Sequence, residues 1–264
     1  MLNLNRSPFI LIVLFVVLAG CSGQPITSGT TDVPDAATST TTDHDTPQST
    51  LAPGLTESGV TDAWALAQAH RDSLANTTYT ERSQHTVRAN GTLRRAVTTT
   101  LRQGQGDRYV YERYAHGTAA LFPNLTVFRN DSTLVQRTAY DNGTVAYSGP
   151  EAAATPATDR YGNVYAVLSA SPTTVEEAVA HNGTTRYRVM STGPPTNSSA
   201  YAGVSNYTMT ALVGPDGLVH EYTISYAETR GGQTVTVSTA VQFTARGKTV
   251  VQPPEWAADA LVNS

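Results

Sequence analysis

Alternation of apolar and polar positions is clearest towards the C-terminal end of the chain. In 218–228, Leu218, His220, Tyr222, Ile224 and Tyr226 face one way, and Glu221, Thr223 and Ser225 face the other. In 235–245, Val235, Val237, Val241 and Phe243 oppose Thr234, Thr236, Ser238, Gln242 and Thr244. A period of two with one apolar and one polar face predicts antiparallel strands wetted on one side. Runs of the same character cover 78–89, 92–102, 107–115, 124–129, 133–140, 144–148, 184–191 and 204–213. Asn90-Gly91, Asn130-Asp131, Asn142-Gly143, Pro215-Asp216-Gly217 and Gly231-Gly232 supply turns between them.

The period lengthens to that of a helix in two regions. Val60, Trp64, Ala67, Arg71 and Leu74 recur at helical spacing, with Ser58 or Thr61 as the cap and Asp62 in the first turn. Tyr161, Val164, Tyr165 and Leu168 predict a helix over 159–169. Pro172 followed by Thr173 and Glu176 reads as a capping box for a second short helix over 173–180, where Glu176 and Glu177 suit the positive end of the helix dipole. The resulting order predicts an α+β domain. A curved antiparallel sheet of about ten strands would carry an N-terminal helix and a helical insert over one face.

Upstream of this region, Arg6 precedes an apolar stretch running from Phe9 to Ala19, which ends in Leu18-Ala19-Gly20-Cys21. A charged start, an apolar segment and small residues before a cleavage point describe a secretory signal peptide over 1–20. The apolar stretch is shorter than the ~20 residues that span a bilayer. Small residues followed directly by Cys resemble the lipobox of exported lipoproteins. That resemblance implies cleavage before Cys21, lipidation of its thiol and attachment to the cell membrane, facing the outside. Residues 21–57 are dense in Thr, Ser, Asp, Pro and Gly and read as a disordered tether, a composition that also suits O-glycosylation. The folded domain is expected over 58–258, followed by a flexible tail over 259–264.

Charge and cysteine usage remove several function classes. The chain carries 17 Lys and Arg against 21 Asp and Glu, and Lys248 is its only lysine. A mildly acidic, Lys-poor surface argues against a nucleic-acid partner. Cys21 is the only cysteine, so an intramolecular disulfide and a cysteine-based metal cluster are both ruled out. None of the six His residues (His44, His70, His85, His116, His181 and His220) falls in an HxxH or HExxH pattern. There is no G-x-S-x-G and no P-loop. The expectation is a non-catalytic protein without a metal or cofactor.

Two residue types offer candidate sites. Asn-x-Ser/Thr, the acceptor pattern for N-glycosylation, occurs at Asn76, Asn90, Asn124, Asn130, Asn142, Asn182, Asn197 and Asn206. Asn90, Asn142 and Asn182 precede Gly, so turn chemistry explains them equally well. Tyrosine is the other. Tyr109, Tyr111, Tyr207, Tyr222 and Tyr226 lie on predicted strands, and Tyr161 and Tyr165 lie on the helical insert. Their rings suit a pocket that is partly apolar and partly wet. Ordinary sheet core in a chain short of Phe is the competing explanation.

The order of elements resembles the half-barrel of LolA/LppX-type periplasmic carriers and lipid-binding lipoproteins. More narrowly, the chain is similar to haloarchaeal surface lipoproteins of unknown function. The shared features are the lipobox, the Thr-rich tether, a Trp-containing first helix and the closing Pro253-Pro254-Glu255-Trp256. These resemblances imply a membrane-anchored module that binds an apolar or amphipathic, lipid-like ligand. The alternative is a structural or interaction protein of the cell envelope that needs no small-molecule ligand.

Overall fold

Ordered chain begins earlier than its composition suggests. The computed structural model describes residues 49–118, 123–151, 153, 160–181, 183–196 and 198–263. Within them, Thr50–Ala52 (β1), Leu55–Thr56 (β2) and Gly59–Val60 (β3) form a small antiparallel sheet. Leu55 is fully buried in the main core. Part of the segment expected as tether is therefore domain, and the boundary near Ser58 moves upstream. Gly54 explains how so sparse a sequence docks. At φ +75 its carbonyl accepts the amides of Thr61 (3.0 Å) and Asp62 (3.1 Å), and a Cβ there would lie 2.1 Å from the Asp62 carbonyl oxygen.

Helix α1 spans Ala63–Leu74, with Asp62 as its N-cap. Asp62 Oδ1 accepts the Ala65 amide at 2.9 Å, satisfying one of the free N–H groups of the first turn. This corrects the expected start, because Val60 belongs to β3. The buried stripe is Leu66, Ala67, His70 and Leu74, while Trp64 is 57% exposed.

The main sheet holds Tyr79–Ala89 (β4), Thr92–Gln103 (β5), Tyr109–His116 (β6), Asn124–Asn130 (β7), Thr133–Ala139 (β8) and Val145–Ser148 (β9). Helix α2 follows at Arg160–Leu168. Five more strands complete the sheet: Thr173–His181 (β10), Thr184–Ser191 (β11), Ser205–Val213 (β12), Val219–Arg230 (β13) and Gln233–Thr244 (β14). The order is β10-β11-β12-β13-β14-β4-β5-β6-β7-β8-β9, antiparallel throughout, with open edges at β10 and β9.

The helix expected over 173–180 is strand β10. Thr173, Thr174, Val175 and Val179 are β-branched, which favours the pleated backbone over a helix. Glu177 does not serve a helix dipole. It stands opposite Arg188 of β11 and pairs with it at 2.7 Å. β10 is also fastened to the small N-terminal sheet, since Thr173 Oγ1 accepts the Val60 amide at 2.8 Å.

Side chains from distant strands meet in one core. Leu125 and Val127 of β7 join Val189 of β11 and Met209 of β12 around Leu66, Val164 and Leu168. The sheet therefore curves around α1 and α2, as a half-barrel does. The opposite face of β6–β8 is covered as well, by a helix that reaches into the segment expected as a flexible tail over 259–264. Helix α3, Ala257–Asn263, buries Ala257 and Ala260 against Val110, Phe128 and Val135.

Candidate functional site

The inner face of the sheet alternates as its sequence dictates. On β13, Tyr222 and Ile224 are buried, while Glu221 and Thr223 are exposed. His220 departs from that face pattern, because the β12–β13 register shifts beside it. In the centre of the sheet the inward residues become smaller and more polar. Ser83 stands opposite both Val241 and Thr99, and Thr239 stands opposite His85. Small side chains at the centre of the sheet leave space that the helices do not fill.

That space is a cavity of about 420 Å³. Its floor is Glu81, Ser83, Thr99, Tyr111, Tyr222, Ile224, Tyr226, Thr239 and Val241. Asn163, Ala166 and Val167 of α2 form one wall, and Ala200 and Tyr201 form another. Tyr201 sits on a single 3₁₀ turn, Ser199–Tyr201, between β11 and β12. Its ring packs on Tyr207 at 5.3 Å and meets Tyr226 edge-on at 5.7 Å.

Burial sets the electrostatics of these rings. Tyr201, 9% exposed, has its phenol pushed up to about 12, first by desolvation and then by the neighbouring Tyr226. The Tyr222 phenol is also driven well above its ordinary value, by burial first and then by Glu81 and Tyr201. Tyr111 moves the same way through burial. All three stay neutral hydroxyls at physiological pH, with apolar faces and a polar tip.

The tyrosines singled out in the sequence divide into three sets. Tyr111, Tyr222 and Tyr226 line the cavity. Tyr109 is buried in the core, and Tyr207 lies behind Tyr201. Tyr161 and Tyr165 stack on each other at 6.1 Å on α2, with Arg71 of α1 over the Tyr161 ring at 5.9 Å. Tyr165 is largely exposed. Sequence reasoning missed Tyr201, which sits in a short turn with no periodicity to mark it. It also passed over the polar floor, where Ser and Thr read as ordinary strand residues.

The Asn residues of the acceptor pattern are also spread out. Asn76, Asn90 and Asn206 adopt the left-handed region, at φ 55, 50 and 52. Asn142 bonds the Thr144 amide at 3.0 Å in its turn. Two more side chains are engaged: Asn124 Oδ1 accepts the Ala115 amide and Asn130 Oδ1 accepts from Arg108 Nε, each at 2.8 Å. Asn182, Asn197, Cys21 and the 1–20 segment lie outside the described residues.

Residues 6–260 match the model of a family described as a family of unknown function (DUF7537). No curated protein matches the chain. Among solved structures, LprF from Mycobacterium bovis superposes with a TM-score of 0.42 at 16% identity, over 75% of this chain and 98% of its own. MucB, in its complex with MucA from Pseudomonas aeruginosa, gives 0.32 at 14% identity, over 74% and 59%. A LolA superfamily protein from Nitrosomonas europaea gives 0.25 at 5% identity, over 72% and 94%.

Proposed function

We propose that this chain, which belongs to the DUF7537 family of unknown function, is an extracytoplasmic module that binds an amphipathic, lipid-like ligand between its sheet and α2. The cavity carries this reading. Its volume of about 420 Å³ lies within the ~300–1,000 Å³ typical of small-molecule sites. Four tyrosine rings supply apolar faces, while Glu81, Ser83, Thr99, Asn163 and Thr239 keep part of the wall polar. Such a wall suits a molecule that is itself part apolar and part polar. The role is binding without chemistry, and no cofactor is needed for it.

The membrane enters through Cys21. In this reading the segment before Cys21 is removed on export and the lipidated cysteine holds the domain at the outer surface of the cell membrane. Among the described residues, no helix is long and apolar enough to cross a membrane. The Lys-poor composition fits an extreme halophile as source. Glycans would sit on some of the Asn residues that lie in turns.

A purely structural envelope protein would have no use for the cavity, and this decides the test. The full chain is purified from its native membrane and the co-extracted small molecules are identified by mass spectrometry. Ala166→Trp, which fills the cavity from α2, is treated in parallel. The expected result is a stoichiometric amphiphile on the wild type and its loss from Ala166→Trp. A wild type free of bound amphiphile, or equal retention by the variant, favours the structural role.

A further inference from the structure

Building on that reading, we propose that the bound amphiphile carries an anionic head group held by Arg95, with His85 as the residue that positions Arg95. The inner face of the sheet changes character along β4. Glu81 and Ser83 line the cavity, and His85 comes next on the same face, opposite Thr239 of β14 and Val97 of β5. Thr239 is itself a cavity residue, and its Oγ1 lies 3.0 Å from His85 Nδ1. His85 Nε2 in turn lies 3.3 Å from an Arg95 terminal nitrogen. The arginine is thus two hydrogen bonds from the cavity wall.

The donor and acceptor roles follow from chemistry. A guanidinium can only donate, so His85 Nε2 accepts from Arg95 and His85 Nδ1–H donates to Thr239. His85 is a neutral strut, and it contributes no countercharge. Burial, then Arg95 and Arg230, lower its pKa, in keeping with that role. Arg95 makes no ion pair with a carboxylate among the described residues. Its Nε is buried without an acceptor. A buried donor of a charged group left unpaired is costly, and an anion would satisfy it.

The surrounding charges orient such a ligand. Arg230, near His85, is already paired with Glu228. Arg113, opposite Thr99 on the same face, gives one terminal nitrogen to the Pro123 carbonyl at 3.4 Å. Glu81 lies four residues from His85 along β4, about 13 Å away at the strand rise. A carboxylate at that end repels an anion. The head group therefore belongs at the Arg95 end, with the apolar portion running from Ile224 towards Tyr222 and Val241, which stand level with Ser83.

The test compares two probes that differ by one charge. The full chain is titrated, by probe fluorescence at low ionic strength, with anilinonaphthalenesulfonate and with its uncharged parent, phenylnaphthylamine. The wild type is expected to bind the sulfonate about tenfold or more tightly than the parent, the ratio expected of one charge-assisted contact. Salt should narrow the gap. Arg95→Gln is expected to abolish the preference while leaving the parent's affinity unchanged, and Arg95→Lys to retain a preference for the sulfonate. Parent binding without a charge preference in the wild type overturns the anion assignment alone. So does a loss of both affinities together in Arg95→Gln, which would make Arg95 a structural plug. A wild type that binds neither probe removes the binding function itself, and the head-group assignment with it.

Discussion

His70 of α1 accepts the backbone amide of Val219 through Nδ1 at 3.1 Å, so the first helix is tied to the start of β13 by a buried side chain. Its ring also meets Phe243 of β14 edge-on at 4.7 Å. One residue therefore links the helical layer to two central strands. His70→Ala leaves the Val219 amide unsatisfied and opens a void. The expected cost is about 3 kcal/mol, measured as a lowered midpoint in chemical denaturation.

His85 gives a pH dependence with a definite sign. Its folded pKa lies below the ordinary value of 6.5, so the unfolded chain takes up a proton before the folded one does. The stability linked to His85 is complete above about pH 6.5 and is lost as the pH falls from there through the lowered folded value. His85→Asn should show a smaller drop in melting temperature than the wild type between about pH 7.5 and pH 5. An unchanged drop would place the effect on other groups.

The register of β13 is open to a two-residue test. Ile224 is buried on the inner face, and Thr223 is exposed beside it. Ile224→Asp places a carboxylate on that face, so a loss of about 3 kcal/mol or more is expected, up to failure to fold. Thr223→Asp should stay within ~0.5 kcal/mol. Equal tolerance in thermal melts would mean that the two faces are exchanged.

Where the domain begins can be tested from both sides. Leu55→Ala should cost about 2–5 kcal/mol, because the side chain is fully buried. Deletion of residues 24–46 removes only Thr-, Ser- and Pro-rich sequence and should move the melting temperature by no more than about a degree. A deletion extended through 54 takes away β1 and Gly54, and should destabilise markedly.

Cys21 is expected to govern attachment. Cys21→Ser should leave the protein unprocessed or release it from the membrane fraction, as judged by fractionation and intact mass. A variant that loses 1–20 and still pellets wholly with membranes would refute the lipobox assignment. Since a single acyl chain holds only weakly, the mature wild type should carry a two-chain lipid.

Ten of the eleven main strands are legible in the sequence: most set one face against the core and the other against water, and β6–β8, whose outer face α3 covers, still carry strand-length apolar runs between turn residues. β10 is not. As an edge strand with no wet-and-dry alternation to declare it, its Thr-x-x-Glu start imitates a helix cap. β1–β3 escape for a related reason, since their strands are only two or three residues long, too short to show a period, and the docking of Leu55 depends on a turn at Gly54. Asp62 was visible as a helix-start residue, but the cap itself is set by where β3 ends. At the site, Tyr222 and Tyr226 follow from alternation alone. Tyr201 depends on a turn that brings it over the sheet, and the Arg95–His85–Thr239 chain depends on cross-strand register. Periodicity carries neither kind of information.

The pairing of β14 with β4 has a kinetic consequence. Every other pair of neighbours in the main sheet is adjacent in sequence and can close as a local hairpin or meander. This seam alone joins the first strand of the sheet to the last, matching Thr80 with Thr244 and Ala89 with Val235. Two meanders can therefore assemble independently, each presenting at β14 or β4 an edge that the finished sheet pairs, but their union must wait until the final strand has emerged. Closing so large a loop is slow compared with hairpin formation. Until it happens, β4 and β14 are the strands most open to pairing with another chain. The half-finished protein is thus most vulnerable to aggregation through the strands that end up at the centre of its sheet.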